Sequence, residues 1–383
     1  MRAIVLVIDG LGVGALPDSK KYNDLGTNTL RHIREVYDLK LPNLAELGLF
    51  NIDSSNGDFT PEGAYGKVAE LSKGKDTTVG HWEIAGLITK EAMPTFPKGF
   101  PNEFVEQLEK ACGVEFLCNA PYSGTEVIKN FGQEHLRTGK PILYTSADSV
   151  LQIATHVDKY SIQQLHDMCQ KARDLCVGKY AVGRVIARPF EGQWPFSRRV
   201  ERKDFSVDPH GTTLLDTIKE NGMEVVAVGK IESIFNGKGI TQSYHTKDNL
   251  DGLQQTLSII KQKFDGLVFV NLVDTDMKYG HRRDVIGYAQ ALEDIDAYVA
   301  KIKKVLKKDD VLYITADHGC DPTHQIHTDH TRESTPLLIY GMDVLPTHLG
   351  IVSGMDSIAE TIKAQLGLSY NQKSLWEKIE ANN

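Results

Sequence analysis

The chain predicts an α/β fold in which a mostly parallel central sheet flanked by helices is interrupted by an inserted α+β domain. Two observations carry that expectation and a third places the insertion. Residues 3–8, 267–273 and 311–315 are short, predominantly apolar and largely β-branched runs, the second interrupted only by Asn271, the pattern of strands buried on both faces of a parallel sheet. Stretches with helical spacing alternate with these runs, the longest being Val285, Tyr288, Ala289, Leu292, Ile295, Val299, Ile302 and Leu306. From about Met93 to Lys203, prolines and short mixed elements replace this rhythm. The expected organisation is a core of residues 1–92 and 206–383, split by an inserted domain over residues 93–205.

The first strand, residues 3–8, ends at Asp9 and runs into Gly10-Leu11-Gly12-Val13-Gly14. These glycines permit a tight turn beside a ligand, but the third comes one residue too early for a dinucleotide fingerprint. Helices are expected near residues 30–37 and 42–49, with Asn28 and Asn43 as caps. Gly74-Lys75-Asp76-Thr77-Thr78-Val79-Gly80-His81-Trp82-Glu83 reads as a polar loop leading into residues 84–87. A hydroxyl at the start of a helix faces free backbone N–H groups and the positive end of the dipole. That placement suits either a phosphoryl group or simple capping by Thr77 or Thr78.

Within the insertion a helix is expected over residues 102–111, a strand over 141–146 ending in Ala147-Asp148-Ser149, and an amphipathic helix over 162–176. A second strand near residues 180–186 carries Arg184 and Arg188, and residues 196–203 hold four cations. Such a cluster is either a solvated edge or a bidentate clamp for phosphate. The α/β rhythm then resumes with a helix over 212–221, a strand over 224–228 ending at Gly229-Lys230, and a helix over 249–264. The strand 267–273 opens into Asp274-Thr275-Asp276-Met277-Lys278-Tyr279-Gly280-His281, and the long helix and the strand 311–315 follow. Residues 336–340 and helices near 358–366 and 375–379 complete the chain.

Composition narrows the function classes. With 41% hydrophobic and 25% charged residues, the 383-residue chain can bury a sizeable core. A net charge of −8 argues against a nucleic-acid or anionic-membrane surface. Five cysteines without a C-x-x-C pair argue against a disulfide framework and for reduced thiols in the cytosol. The apolar run before Asp9 is too short for a signal peptide, and no run approaches a membrane span.

Three strands thus end in carboxylates, Asp9, Asp276 and Asp317, and the loops after two of them supply imidazoles, His281 and the set His318, His324, His327 and His330. Parallel strands present their carboxyl ends on one edge, so these residues are expected to converge. Six or seven O and N ligands suffice for two divalent metals, a pair suited to in-line displacement at phosphorus. With no cysteine among the candidates, Mn²⁺, Mg²⁺ or Zn²⁺ is expected rather than a thiolate site.

With these segments in view, together with Thr145-Ser146-Ala147-Asp148-Ser149-Val150 and Gly183-Arg184-Val185-Ile186-Ala187-Arg188-Pro189-Phe190, the chain resembles the phosphopentomutases of the alkaline phosphatase superfamily from end to end. The resemblance implies an alkaline-phosphatase-like core with an inserted cap, two divalent metal ions, with Mn²⁺ the expected one, and a sugar bisphosphate as activator. It implies Thr77 as a phosphothreonine that donates a phosphoryl group to a pentose phosphate and recovers one, the cap closing over a bisphosphate intermediate. One metal would be held by Asp276, His281 and His330, the other by Asp9, Asp317 and His318. Ser146, Asp148, Arg184 and Arg198 in the cap, and Lys230 in the core, match positions that hold the sugar phosphate. By the same alignment His324 is a loop position and His327 has no fixed counterpart. The chain departs from the pattern at Gly10, where a serine is expected, and at Cys320, where an asparagine is expected. The partners implied are small-molecule pentose phosphates, with no nucleic acid, membrane or obligate protein partner.

Cofactor-independent phosphoglycerate mutases share the expected core and metals but use a serine nucleophile, which Thr77 counts against. A plain phosphatase would release inorganic phosphate, and a metal-binding protein without turnover would not need the nucleophile.

Overall fold

The computed structural model describes residues 1–52, 60–146 and 148–381. It divides into two compact units, Met1–Glu91 with Pro209–Asn383, and Ala92–Asp208.

The first unit is built on an eight-stranded sheet. From one edge to the other its strands are Gln242–Tyr244, Glu224–Val228, Gly266–Leu272, Arg2–Ile8, Asp310–Thr315, Thr335–Tyr340, Ala64–Ala69 and Thr347–Ser353. Neighbours are parallel except around Thr335–Tyr340, which runs antiparallel to the strands on both sides. The three central strands Arg2–Ile8, Gly266–Leu272 and Asp310–Thr315 are buried along their whole length. Continuous apolar runs are what a strand covered by helices on both faces requires. Even Arg2, at 1% exposure, is accommodated, because Asp310 on the neighbouring strand takes its guanidinium.

Register carries the functional consequence. Val7 lies opposite Thr315 and Ile8 opposite Leu272, so Asp9 and Asp317, each two residues further on from the Val7–Thr315 pair, leave the sheet side by side. Helix Val285–Val305 packs Tyr288, Ala289, Leu292, Ile295, Val299 and Ile302 into the core beside Ile4, Leu6 and Val270. Each fully buried Leu or Ile there contributes about 1.5–3 kcal/mol.

Several local expectations are corrected. The helix expected over residues 42–49 stops at Glu46, because Gly48 turns the chain with φ +100°, and Leu49–Asn51 forms a separate 3₁₀ turn. Asn28 caps helix Thr29–Val36 by accepting from Arg31 N–H, but Asn43 caps nothing: Pro42 opens its helix and the Asn43 side chain donates to Asp296. Helix Thr77–Ile84 begins inside the stretch read as loop. Asp76 is its N-cap, accepting from Val79 N–H at 3.1 Å, so neither threonine plays that part.

The second unit is α+β. Strands Leu117–Pro121, Ile142–Thr145, Val150–His156, Arg184–Glu191 and Ser197–Arg198 form its sheet in that order, and Lys203–Ser206 also pairs with Arg184–Glu191. Alternate side chains enter two cores: Leu143, Leu151 and Ile153 with helices Asn102–Cys112 and Ile162–Leu175, Ile142, Tyr144 and Ala154 with helix Gly124–Thr138. The strand placed near residues 180–186 starts only at Arg184, since Gly178–Tyr180 is a 3₁₀ turn. Ala147, expected at the end of a strand, lies outside the described residues. Among the described residues no helix is long and apolar enough to cross a membrane.

Candidate metal centre

The carboxyl edge of the first unit's sheet gathers Asp9, Asp276, Asp317, His281, His318 and His330. Asp9, Asp317 and His318 present ligand atoms within 4.8 Å of one another, and so do Asp276, His318 and His330. His318 Nε2 is 3.2 Å from Asp317 Oδ2 and 3.5 Å from Asp9 Oδ1. On the other side, His281 Nε2 lies 3.3 Å from Asp276 Oδ2 and His330 Nε2 lies 3.5 Å from Asp276 Oδ1.

Local structure explains why Asp276 and His281 meet. Residues Thr275–Gly280 form a π-helical turn, and His281 N–H closes it on the Asp276 carbonyl at 3.1 Å. Hydrogen bonds five residues apart set Asp276 and His281 over each other, which an ordinary α-turn would not.

The imidazoles share one arrangement. His281 Nδ1 donates to Thr328 O at 2.5 Å, His318 Nδ1 to Gly319 O at 3.0 Å and His330 Nδ1 to Lys75 O at 2.8 Å. Each ring is thereby held with Nε2 toward the carboxylates, the outer-shell device that fixes metal-binding histidines. Asp9 Oδ1, Asp276 Oδ1 and Asp317 Oδ2 are buried and accept no hydrogen bond. Buried anionic oxygens without donors are costly, and cations in their midst offset that cost. The residues present therefore fit divalent metal ions.

Electrostatics agree. Burial, and then repulsion from Asp317 and Asp276, push the Asp9 carboxyl up to about 7. Burial also opposes ionisation of Asp317, but His318 and His81 beside it win and hold it well below the ordinary carboxylate range. Burial would depress His281, yet Asp276 lifts it to about 9.

Thr77 is the first residue of helix Thr77–Ile84, and its Oγ1 lies 3.1 Å from His318 Nε2. The helix docks closely because position 80 is glycine: a Cβ there would stand 2.2 Å from the Asp317 carbonyl oxygen. His81, one turn on, was not singled out from the sequence. Its Nδ1 donates to Thr77 O at 2.8 Å and lies 3.2 Å from Asp317 Oδ2. Asn271, also missed, donates to Asp9 Oδ2 at 2.8 Å and stands 3.3 Å from His81 Nε2. Both lie in stretches already of interest, but nothing local marks them as ties between strands.

Three further side chains stand close to the expected ligand set or its loop without belonging to it. Cysteine was left out, yet Cys320 lies within ligand distance of Asp276 and His281. Burial, and then the Asp276 carboxylate beside it, push its thiol well above the usual range. His324 and His327, which the resemblance left outside the ligand set, gather around Asp24. The two departures at positions 10 and 320 also touch. Gly10 has φ +82° and a Cβ on it would stand 2.9 Å from Cys320 Cβ.

The second unit holds a pocket of about 240 Å³ lined by Ser146, Asp148, Arg184, Arg188, Gln152 and Arg202, among others. Arg198 stands beside it, its Nη1 3.4 Å from where a Cβ of the lining residue Gly124 would be. The cation cluster of residues 196–203 divides. Arg202 forks onto Asp204 with two 2.6 Å bonds at the pocket, whereas Arg199 is engaged by Glu191 and Glu201. Lys230 belongs to the first unit, exposed just beyond strand Glu224–Val228.

A model of the Metalloenzyme superfamily matches residues 1–370. A phosphopentomutase of Acetivibrio thermocellus is 51% identical over 376 residues, 97% of both chains. The chain belongs to the phosphopentomutase family. A second phosphopentomutase, from Carboxydothermus hydrogenoformans, is 47% identical over 99% of both chains. Among solved structures, the PH0037 protein of Pyrococcus horikoshii aligns over 96% of this chain and 98% of its own with a TM-score of 0.52 at 14% identity, a likeness of fold alone. This phosphopentomutase-family chain thus has an alkaline-phosphatase-like α/β core whose candidate metal residues lie at the carboxyl edge of the sheet.

Proposed function

We propose that the protein interconverts the 1-phosphate and 5-phosphate of ribose or deoxyribose, through a phosphothreonine at Thr77 and a sugar bisphosphate intermediate. The observation that carries this reading is Thr77 Oγ1 standing 3.1 Å from His318 Nε2, beside the three strand-end carboxylates. Two divalent ions, Mn²⁺ being well suited to oxygen and imidazole donors, would polarise phosphoryl oxygens and favour the alkoxide of Thr77 when held by Asp276, His281 and His330 and by Asp9, Asp317 and His318.

The chain's own residues supply the rest. Phosphothreonine 77 gives its phosphoryl group to the free hydroxyl of a pentose phosphate, so the Thr77 O–P bond breaks as a sugar O–P bond forms. The resulting bisphosphate returns the phosphoryl group from its other end, restoring phosphothreonine and leaving the isomeric monophosphate; a sugar bisphosphate acts as activator by loading the enzyme. Free N–H groups at the start of helix Thr77–Ile84 favour the transferring anion. Arg184, Arg198, Ser146 and Asp148 hold the non-transferring phosphate and sugar, with Lys230 as a further phosphate contact. The reading is tested by incubating purified protein with Mn²⁺ and ribose 1-phosphate. Formation of ribose 5-phosphate supports it, and release of inorganic phosphate as the main product would make the protein a phosphatase.

A further inference from the structure

Outside the metal centre the first unit contains one buried carboxylate with unusual company. Asp24 is 0% exposed, and His324 and His327 place ring nitrogens near it. The group has the composition of a third metal site, but its geometry is that of a lysine site. Lys75 Nζ lies 3.2 Å from Asp24 Oδ2 and 3.5 Å from His327 Nε2, where it would repel an added ion. Asp329 N–H donates to His327 Nδ1 at 3.2 Å, which leaves Nε2 as the protonated nitrogen, 2.7 Å from Asp24 Oδ1.

What this lysine site accomplishes follows from the second bond on the same oxygen. Asp24 Oδ2 also accepts from Arg332 N–H at 2.8 Å. One oxygen therefore ties two segments: residue 75, two before Thr77, and residue 332, two after His330. The Arg332 side chain adds a parallel tie, Nη1 to Gly74 O at 2.7 Å. Between the two tied segments runs the bond that orients a proposed metal ligand, His330 Nδ1 to Lys75 O at 2.8 Å.

We infer that Asp24 is a positioning residue for His330, holding the Lys75 carbonyl at the distance that turns His330 Nε2 toward Asp276. The inference rests on the reading of His330 as a ligand. Asp24 is not one of the proposed ligands; it acts through Lys75 and the Arg332 backbone. The direct outer partner of His330 is the Lys75 carbonyl, and loss of such a partner costs roughly 10–100-fold in metal affinity.

The experiment is Mn²⁺ titration of metal-free protein, resolving two sites, with melting of the metal-free forms alongside. Asp24→Asn is expected to weaken one site about 10–100-fold and spare the other. Lys75→Met, which keeps the stem and removes the ammonium, is expected to weaken the same site, and the double variant to be no worse than the poorer single one. Wild-type affinity at both sites in Asp24→Asn and Lys75→Met would overturn the inference. So would equal weakening of both sites with a lowered melting temperature, the signature of general loosening. If Asp24→Asn does not fold, Lys75→Met decides alone. His330→Ala separates the two levels: if it leaves both sites intact, the ligand reading fails; if it empties one while Asp24→Asn and Lys75→Met do nothing, only the positioning role fails.

Discussion

Thr77 Oγ1 and His318 Nε2 are 3.1 Å apart, and the same nitrogen faces Asp9 and Asp317. A threonine hydroxyl is a weak nucleophile near neutral pH and needs such company to be activated. Thr77→Ala is expected to abolish interconversion while keeping the fold, and Thr78→Ala to retain substantial activity. Mass spectrometry after incubation with a sugar bisphosphate should find one added phosphoryl group on Thr77. Finding it on Thr78 or on a histidine would overturn the assignment.

The nucleophile's helix depends on its cap. Asp76 accepts from Val79 N–H, and replacing an N-cap aspartate by alanine typically costs about 1 kcal/mol. Asp76→Ala should lower the urea midpoint by a corresponding amount and reduce turnover more than that loss implies, because Thr77 is the first residue beyond the cap. Unchanged turnover at reduced stability would mean that the helix start does not set the reacting geometry.

Asp276 has His281 on one oxygen and His330 on the other. Asp276→Ala should therefore leave one equivalent of bound metal where the unsubstituted protein holds two, as counted by elemental analysis after desalting. Full metal content together with full turnover would rule out Asp276 as a ligand.

Three buried carboxylates sharing one edge make the metal-free protein electrostatically poor. Metal at a hundredfold excess over its dissociation constant should stabilise each site by about 2.7 kcal/mol. Calorimetry should show the melting temperature falling with a chelator and rising with Mn²⁺. Asp9→Asn is expected to raise the melting temperature of the metal-free form, since it removes one of the mutually repelling charges, while diminishing the gain from Mn²⁺. A lower metal-free melting temperature would show that repulsion is not the dominant cost at Asp9.

In the second unit the arginines should not be equivalent. Arg202 lines the pocket and Arg198 stands beside it, while Arg199 is held by Glu191 and Glu201. A lost charge-assisted hydrogen bond to phosphate is worth roughly 1.5–3 kcal/mol. Arg198→Ala and Arg202→Ala are expected to raise KM for the pentose phosphate at least about tenfold, and Arg199→Ala to change it little, in steady-state assays. Equal effects from all three would point to the unit's overall charge instead of the pocket.

Much of the site was legible from local pattern. Asp9, Asp276 and Asp317 are each announced by a largely apolar run, because a strand buried on both faces carries few polar residues, and those few, Arg2, Asn271 and Asp310, are paired by neighbouring strands. The long helix Val285–Val305 was legible for the matching reason, a single apolar face recurring with helical period. Less visible was the helix start at Thr77, since glycines and polar residues disguise a stretch that its aspartate cap and the burial of residues 79–84 together hold helical. Strand Val150–His156 escaped notice because its buried Gln152 and His156 break the apolar signal; in the folded chain Gln152 bonds Arg188 and His156 bonds Gly192 O.

The sequence by itself determined which residue types stand at the strand ends and hence what chemistry the edge can support. Tertiary structure alone decided which of them meet. Register sets Asp9 beside Asp317, backbone carbonyls from other loops choose which nitrogen of His281 and His330 faces inward, and His324 and His327 are drawn off to Asp24. Side-chain chemistry is local and can be read in order along a chain. The distances across the site, and the orientation of His330 by Lys75, depend on groups hundreds of positions away, and they come into being only when the sheet is assembled.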